Sequence, residues 1–183
     1  IDPNMVNKTV YEGLRQDDPD RRAMIFTRSG FSGIQKYGAV LWSGDVGNDW
    51  QTLRYQIAAG LNFVSTGLPW WTYDAGGFFR PYDQYTNPSY IERLIRWVQA
   101  GTFLPLMRVH GYMSDTEPWN YGPDAQRIIT DYIRLRYRLM PYIYSEAAQV
   151  SMGGSTLMRP FVFDFPTDEE ALKQDGSYMF GKS

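Results

Sequence analysis

The chain has 183 residues, of which 43% are hydrophobic and none is cysteine, and its 18 basic and 20 acidic side chains give a formal net charge of -2. This near balance of charge provides no positive surface for nucleic acid or an anionic membrane, so neither is expected as a partner. The absence of cysteine excludes disulfide frameworks, thiolate zinc sites and cysteine nucleophiles.

The organisation of the chain indicates one unit. It contains no internal repeat, low-complexity tract or Gly/Ser linker, so residues 1–183 are predicted to form a single domain-like piece. The first residues, Ile1-Asp2-Pro3-Asn4, carry neither an initiator methionine nor the charged and apolar regions of a signal peptide. We therefore expect a piece of a longer protein, and the composition leaves its compartment open.

Short apolar runs alternate with longer segments of helical period, which is typical of βα units around a parallel sheet. The predicted strands cover residues 23–27, 39–42, 63–66, 104–107 and 158–165. A complete (β/α)₈ barrel takes about 250 residues, so about five strands in this chain predict a partial barrel of parallel strands with surrounding helices.

Helices are predicted between these strands by apolar residues at three- and four-residue spacing. The first covers residues 50–61, with Asp49 as its cap, and the second covers 89–100, between Pro88 and Gly101. A longer helix follows Pro123 and ends by residues 153–154.

Charged or titratable side chains follow four of the apolar runs: Arg28, Asp45, Asp74 and His110. The carboxyl ends of parallel barrel strands share one rim, where active sites of this architecture are built. Taken singly, each residue has an ordinary explanation, because Asp45 also suits a helix cap and a lone histidine is more often structural than catalytic. Together they predict one pocket.

The motifs around these residues resemble glycoside hydrolase family 31. The segment WSGD at 42–45, followed by Trp50, resembles the acid/base motif of that family. The segments FTRSGF at 26–31, GLPWWTYDAGGF at 67–78 and FLPLMRVHG at 103–111 resemble its sugar-binding segments. Further counterparts of the family occur at 136–144 and 158–160.

The resemblance implies the C-terminal part of the catalytic barrel of a retaining α-glycosidase, with Asp45 as general acid/base. Such an enzyme uses a second carboxylate, about 5 to 5.5 Å away, as its nucleophile. Asp2 lacks the apolar strand that precedes the family's nucleophile, so that residue is expected outside the chain. The residues implied to bind or enclose the sugar are Arg28, Trp42, Trp71, Asp74, Phe78 and His110.

The implied substrates are oligosaccharides or α-glycosides with a terminal α-xylosyl or α-glucosyl residue. The segments HGYM at 110–113 and DTEPWNYG at 115–122 resemble the α-xylosidase branch of the family. A single histidine and the lack of a phosphate-binding glycine loop predict neither a metal nor a nucleotide cofactor. Two alternatives stay open, a non-catalytic carbohydrate-binding barrel and a structural fragment that self-associates through exposed half-barrel edges.

Overall fold

A parallel sheet forms the centre of the computed structural model, which describes residues 2–183. Its strands are β1 (Ile25–Thr27), β2 (Ala39–Trp42) and β3 (Trp71–Thr72), hydrogen-bonded in the order β1-β2-β3. An isolated parallel bridge between Ala75 and Val109 continues this order to the segment that precedes His110. Four chain segments therefore run in the same direction and bring their carboxyl ends to one edge.

Helices flank the sheet in the alternation predicted from the sequence. They are α1 (Pro3–Asp17), α2 (Trp50–Ser65), α3 (Pro88–Gly101), α4 (Pro123–Gly153) and α5 (Glu169–Leu172). The Asp49 carboxylate caps α2 by accepting a hydrogen bond from the Thr52 amide at 2.8 Å. Gly154, in the left-handed conformation at φ 68°, ends α4. Among residues 2–183, no helix is both long and apolar enough to span a membrane.

The prediction of strand 63–66 is wrong, because α2 continues to Ser65. Ile57, Leu61 and Val64 are all buried, so the helical period extends through the apolar residues of the predicted strand. The parallel strand comes later, at Trp71–Thr72. Helix α1 was not predicted.

The strand predicted at 104–107 has no regular ladder either. The buried guanidinium of Arg136, on α4, donates to the carbonyl oxygens of Thr102, Leu104 and Pro105 at 2.6 to 2.9 Å. These carbonyls are therefore satisfied by a side chain instead of a neighbouring strand.

Only the start of the predicted strand 158–165 is extended. Strand β4 (Met158–Arg159) pairs antiparallel with β5 (Met179–Phe180), outside the parallel sheet. After Pro160 the chain turns into a 3₁₀ helix, Phe161–Phe163.

The main core lies between the sheet and helices α2, α3 and α4. Trp97, Tyr73 and Tyr90 are its largest fully buried side chains. The rings of Tyr73 and Trp97 meet edge to face at 4.9 Å, and the Tyr73 hydroxyl donates to the Trp97 carbonyl at 2.8 Å. Such an aromatic pair contributes about 0.5–1.5 kcal/mol beyond the burial of its area. This core fixes β3 against α3 and thereby places Asp74, the residue after Tyr73.

Candidate active site

Arg28 and Asp45 form an ion pair at the carboxyl ends of β1 and β2. Arg28 Nη2 lies 3.4 Å from Asp45 Oδ2, and the Asp45 side chain is 30% exposed. Gly44, at φ 83°, makes the turn that brings Asp45 back towards the guanidinium. Exposed pairs of this kind contribute at most about 1 kcal/mol to stability. The Asp45 carboxylate is therefore oriented by Arg28 and is still accessible to solvent.

A second ion pair joins Asp74 to Arg108. Asp74 is fully buried, and its Oδ1 atom accepts a hydrogen bond from Nη1 of Arg108. Its Oδ2 atom has no hydrogen-bond partner within residues 2–183. Burial raises the pKa of the Asp74 carboxyl, against the lowering effects of the positive charges of Arg108 and His110. The negative charge of Asp45 also raises this pKa, so the two carboxylates interact electrostatically.

Aromatic rings separate and support the two ion pairs. Phe26 and Trp42 stack with their ring centroids 4.8 Å apart. The Arg108 guanidinium lies 4.7 Å from the Phe26 centroid and 5.6 Å from the Trp42 centroid. The Arg28 guanidinium lies 5.8 Å from Trp42. Cation–π attraction therefore orients both arginines on one aromatic surface, with Trp42 shared between them.

The loop after β3 packs closely on the loop after β2. Gly76 and Gly77 have φ values of 92° and 77°, and a Cβ atom at Gly77 would lie 2.5 Å from the Gly47 carbonyl oxygen. Beyond these glycines, the Phe78 amide donates to the Val46 carbonyl at 3.0 Å. The loop that carries Phe78 is thus bound directly to the residue after Asp45.

Arg80 connects this loop to the segment that carries His110. Its Nη2 atom donates to the carbonyl oxygens of Ala75 and His110, both at 2.9 Å. Its Nε atom donates to the Gly77 carbonyl at 3.1 Å, and Nη1 donates to the Tyr121 hydroxyl at 2.7 Å. One guanidinium therefore cross-links three chain segments around the site.

His110 and Phe78 lie together at the end of these loops. The His110 side chain is exposed, and its ring centroid is 5.7 Å from that of Phe78. With Arg28, Asp45 and Asp74 they occupy the carboxyl edge of the parallel segments. This edge offers an accessible carboxylate, cations and aromatic faces, a combination suited to binding a polyhydroxylated ring.

Comparison with known proteins identifies the family of the chain. Residues 1–146 match the family described as the glycosyl hydrolases family 31 TIM-barrel domain. The chain belongs to glycosyl hydrolase family 31. The family resemblance and the TIM-barrel class predicted from the sequence motifs are confirmed at this level, while the assignment to the C-terminal half of the barrel stays a prediction.

Relatives within family 31 include both xylosidases and glucosidases. The chain is 49% identical to the alpha-xylosidase of Saccharolobus solfataricus over 98% of its own length and 24% of that protein. It is 36% identical to alpha-glucosidase 2 of Bacillus thermoamyloliquefaciens, over 97% of this chain and 22% of that protein. A family 31 alpha-xylosidase from a soil metagenome, crystallised with xylose, superposes with a TM-score of 0.92 at 35% identity, covering 98% of this chain and 29% of that one. The chain spans about a quarter of the length of these curated relatives.

Trp71, a predicted sugar-binding residue of this family 31 chain, is buried in the main core. Its side chain is 3% exposed and packs in the main core, where Gly60 of α2 leaves room for its ring. In a strand, successive side chains alternate between faces, and Trp71 points to the helix side. This burial gives Trp71 a packing role, and its expected role as a sugar platform stays a prediction.

Phe26, Arg108 and Arg80 lie at the candidate site but are not among the site residues predicted from the sequence. Two of them could have been predicted from spacing. Phe26 lies two residues before Arg28, and Arg108 lies two residues before His110, and residues two apart in a strand have side chains on one face. Arg80 could not be predicted in this way, since its partners are set by the meeting of three loops.

Proposed function

We propose that the complete protein containing this chain is a retaining, exo-acting α-glycosidase that releases terminal α-xylosyl, or α-glucosyl, residues from oligosaccharides. Asp45 is its general acid/base. The observation that carries the proposal is the accessible Asp45 carboxylate beside Arg28, on the same edge as Asp74 and His110. The family membership and the names of the relatives support the reaction type.

In the proposed first step, a carboxylate nucleophile attacks the anomeric carbon while Asp45 protonates the glycosidic oxygen, so that the C–O bond breaks and the alcohol leaves. In the second step Asp45 accepts a proton from water, the water oxygen attacks the anomeric carbon, and the nucleophile departs with overall retention of configuration. The Asp45 carboxylate must therefore gain and lose one proton per cycle, which its partial exposure permits.

The other residues bind and orient the sugar in this proposal. Arg28 and His110 donate hydrogen bonds to sugar hydroxyls, and the buried Asp74 carboxylate contributes by accepting a hydrogen bond from Arg108 at the same edge. Trp42 and Phe78 enclose the ring. Arg108, held between Asp74 and two aromatic rings, keeps the Asp74 carboxylate in place.

The nucleophile is proposed to come from a part of the protein outside this chain. Asp2 caps α1, because its carboxylate accepts a hydrogen bond from the Asn4 amide at 2.9 Å. Asp74 is buried and clamped by Arg108. Neither is free to attack an anomeric carbon, so residues 1–183 alone are proposed to be inactive.

Xylose is proposed as the preferred sugar. The chain is 49% and 38% identical to two proteins named as α-xylosidases and 36% identical to one named as an α-glucosidase. Xylose differs from glucose by the missing hydroxymethyl group, so selectivity requires bulk at that corner of the pocket.

The test is hydrolysis of p-nitrophenyl α-D-xyloside and α-D-glucoside by the complete protein. We expect Asp45→Ala to lower kcat by about 10² to 10⁴-fold, because the attacking water loses its general base, and added azide to restore turnover with formation of the α-glycosyl azide. The matched control is Asp49→Asn, which removes a nearby negative charge but retains a capping oxygen for α2. Wild-type protein that binds xylose or oligosaccharides without hydrolysing any of them would establish the carbohydrate-binding alternative instead.

A further inference from the structure

The connection between β2 and α2 carries the proposed acid/base, and its residues 43–49 lie outside helices and strands. We call residues 46–49 the acid/base loop. Within residues 2–183 the Asp45 carboxylate has one ion pair, with Arg28 at 3.4 Å, and the Arg28 side chain is itself 61% exposed. Because a long exposed side chain fixes its partner only weakly, the direction of the Asp45 carboxylate depends on how the backbone of this loop is held.

Asn48 connects the acid/base loop to two neighbouring elements. Its Nδ2 atom donates to the Phe79 carbonyl, in the loop after β3, at 2.8 Å. Its Oδ1 atom accepts hydrogen bonds from Nε and Nη2 of Arg93, on α3, at 3.3 and 3.1 Å. Its carbonyl oxygen accepts from the indole Nε1 of Trp97, one turn further along α3, at 3.4 Å. The amide group is thus bound through both its nitrogen and its oxygen, which fixes the orientation of the Asn48 side chain.

Arg93 is in turn held on the surface of α3. Its Nη1 atom donates to Ser89 Oγ, one turn earlier in the helix, at 2.8 Å. Its guanidinium lies 5.7 Å from the ring centroid of Tyr90, which is fully buried in the main core. Within residues 2–183 the hydrogen bonds of Arg93 go to the Ser89 hydroxyl and the Asn48 amide, and none goes to a carboxylate. A charge-assisted contact therefore ties the acid/base loop to a rigid helix.

We propose that Asn48 and Arg93 are positioning residues that hold Asp45 in place to protonate the leaving oxygen. The inference rests on the proposed function, because it presupposes that Asp45 is the acid/base. Asn48 lies three residues after Asp45, so release of its side chain frees the backbone that carries the carboxylate. A displacement of about 1 Å at a reacting group can cost roughly 10²-fold in rate. Since a basic leaving group needs the proton more than an acidic one, a displaced acid slows the basic one more.

The experiment compares the phenyl and p-nitrophenyl α-D-glycosides of the preferred sugar as substrates of the complete protein. The two leaving groups have nearly the same shape, but p-nitrophenol is the stronger acid and departs with less help from a proton. The quantity measured is the ratio of kcat/KM on the p-nitrophenyl glycoside to kcat/KM on the phenyl glycoside. For Asn48→Ala and Arg93→Met we expect this ratio to rise about tenfold, through a loss on the phenyl glycoside. Both substrates are measured on one sample, so the ratio does not depend on the fraction of protein that is folded.

Asp45→Ala provides the reference, because removal of the acid should raise the ratio further. Adding Asn48→Ala to Asp45→Ala should then leave the ratio unchanged, because Asn48 acts through Asp45. The matched control is Arg54→Met, since Arg54 lies on α2 but binds Asp175, near the end of the chain, instead of the acid/base loop. It should keep the wild-type ratio.

A wild-type ratio in both Asn48→Ala and Arg93→Met, whatever their activity, would overturn the positioning role while leaving the proposed function standing. A wild-type ratio in Asp45→Ala would overturn the proposed function, and the positioning role with it.

Discussion

At the scale of single residues, the site depends on how two carboxylates are held. Asp45 is partly exposed beside Arg28, whereas Asp74 is fully buried beside Arg108. Burial favours the protonated form of Asp74, and Arg108 opposes this by favouring the ionised form. This difference suits the proposed roles of the two carboxylates, proton transfer for Asp45 and fixed positioning for Asp74.

The Arg108→Met substitution should destabilise the protein by about 3–5 kcal/mol, because it leaves a buried carboxylate without its partner. It should also raise the pKa of Asp74 further. Since a raised folded-state pKa means tighter proton binding in the folded state, stability should fall as pH rises from about 4, the unfolded pKa of Asp, towards neutrality. The melting temperature of the complete protein, followed over this range, measures the effect.

The control for this prediction is the double variant Arg108→Met with Asp74→Asn, in which no carboxylate titrates at the site. Its melting temperature should lack the additional decrease with rising pH. A single Arg108→Met variant with the pH dependence of the wild type would show that Asp74 does not respond to the guanidinium.

At the scale of elements, the site is assembled by loops that follow the strands. Their mutual positions depend on Arg80, which binds the carbonyls of Ala75, Gly77 and His110, and on close backbone contact at Gly77. Both features join the loop after β3 to a neighbouring loop. We therefore expect their removal to affect substrate binding more than overall folding.

The Arg80→Met substitution removes four hydrogen bonds and should raise KM for the terminal glycoside about tenfold, because His110 loses its support. Each such bond contributes about 0.5–1.5 kcal/mol. Tyr121→Phe removes one of them, together with the contacts of its hydroxyl to Gln84 and the Asp115 carbonyl. It should have a smaller effect on KM, because the three bonds from Arg80 to backbone carbonyls remain. Steady-state kinetics that separate KM from kcat provide the measurement, and an unchanged KM in Arg80→Met would refute the cross-linking role.

Gly77→Ala and Gly67→Ala form a matched pair. Both glycines have a positive φ, so both substitutions incur the cost of a left-handed alanine, about 1 kcal/mol. No atom lies within 4 Å of a Cβ at Gly67, whereas a Cβ at Gly77 would collide with the Gly47 carbonyl. We expect loss of activity in Gly77→Ala only, measured as kcat/KM; equal activity of the two variants would contradict the proposed contact between the loops.

At the scale of the whole molecule, one edge of the parallel sheet stays uncovered. Within residues 2–183, β1 pairs only with β2, and Met24, Phe26 and Phe31 near it are exposed. Apolar residues are also exposed along α1 at Met5, Val6, Val10 and Leu14. An unpaired strand edge beside apolar surface promotes association.

Residues 1–183 expressed alone should therefore self-associate as their concentration rises. Sedimentation velocity over a concentration series measures this. A Phe26→Lys substitution beside the edge should weaken association, whereas Met152→Lys, at an exposed position near the end of α4, should not. A monomer at all concentrations with cooperative unfolding would contradict the expected half-barrel edge.

The sequence by itself determined the family, the parallel βα order and the positions of Arg28, Asp45, Asp74, Phe78 and His110 relative to the strands. It also determined the bounds of β2 and most of α2, α3 and α4. These features depend on signals within a few residues of one another, namely motifs, helical period and caps such as Asp49.

Only the tertiary structure decided which side chains meet. Asp74 and Arg108 are 34 residues apart in the chain, and the partners of Arg80 come from three segments. The burial of Trp71 and the extension of α2 through Phe63 and Val64 were likewise decided by packing against the core. A short apolar run is compatible with a strand or a helix, and its final form depends on which surface is available to cover it.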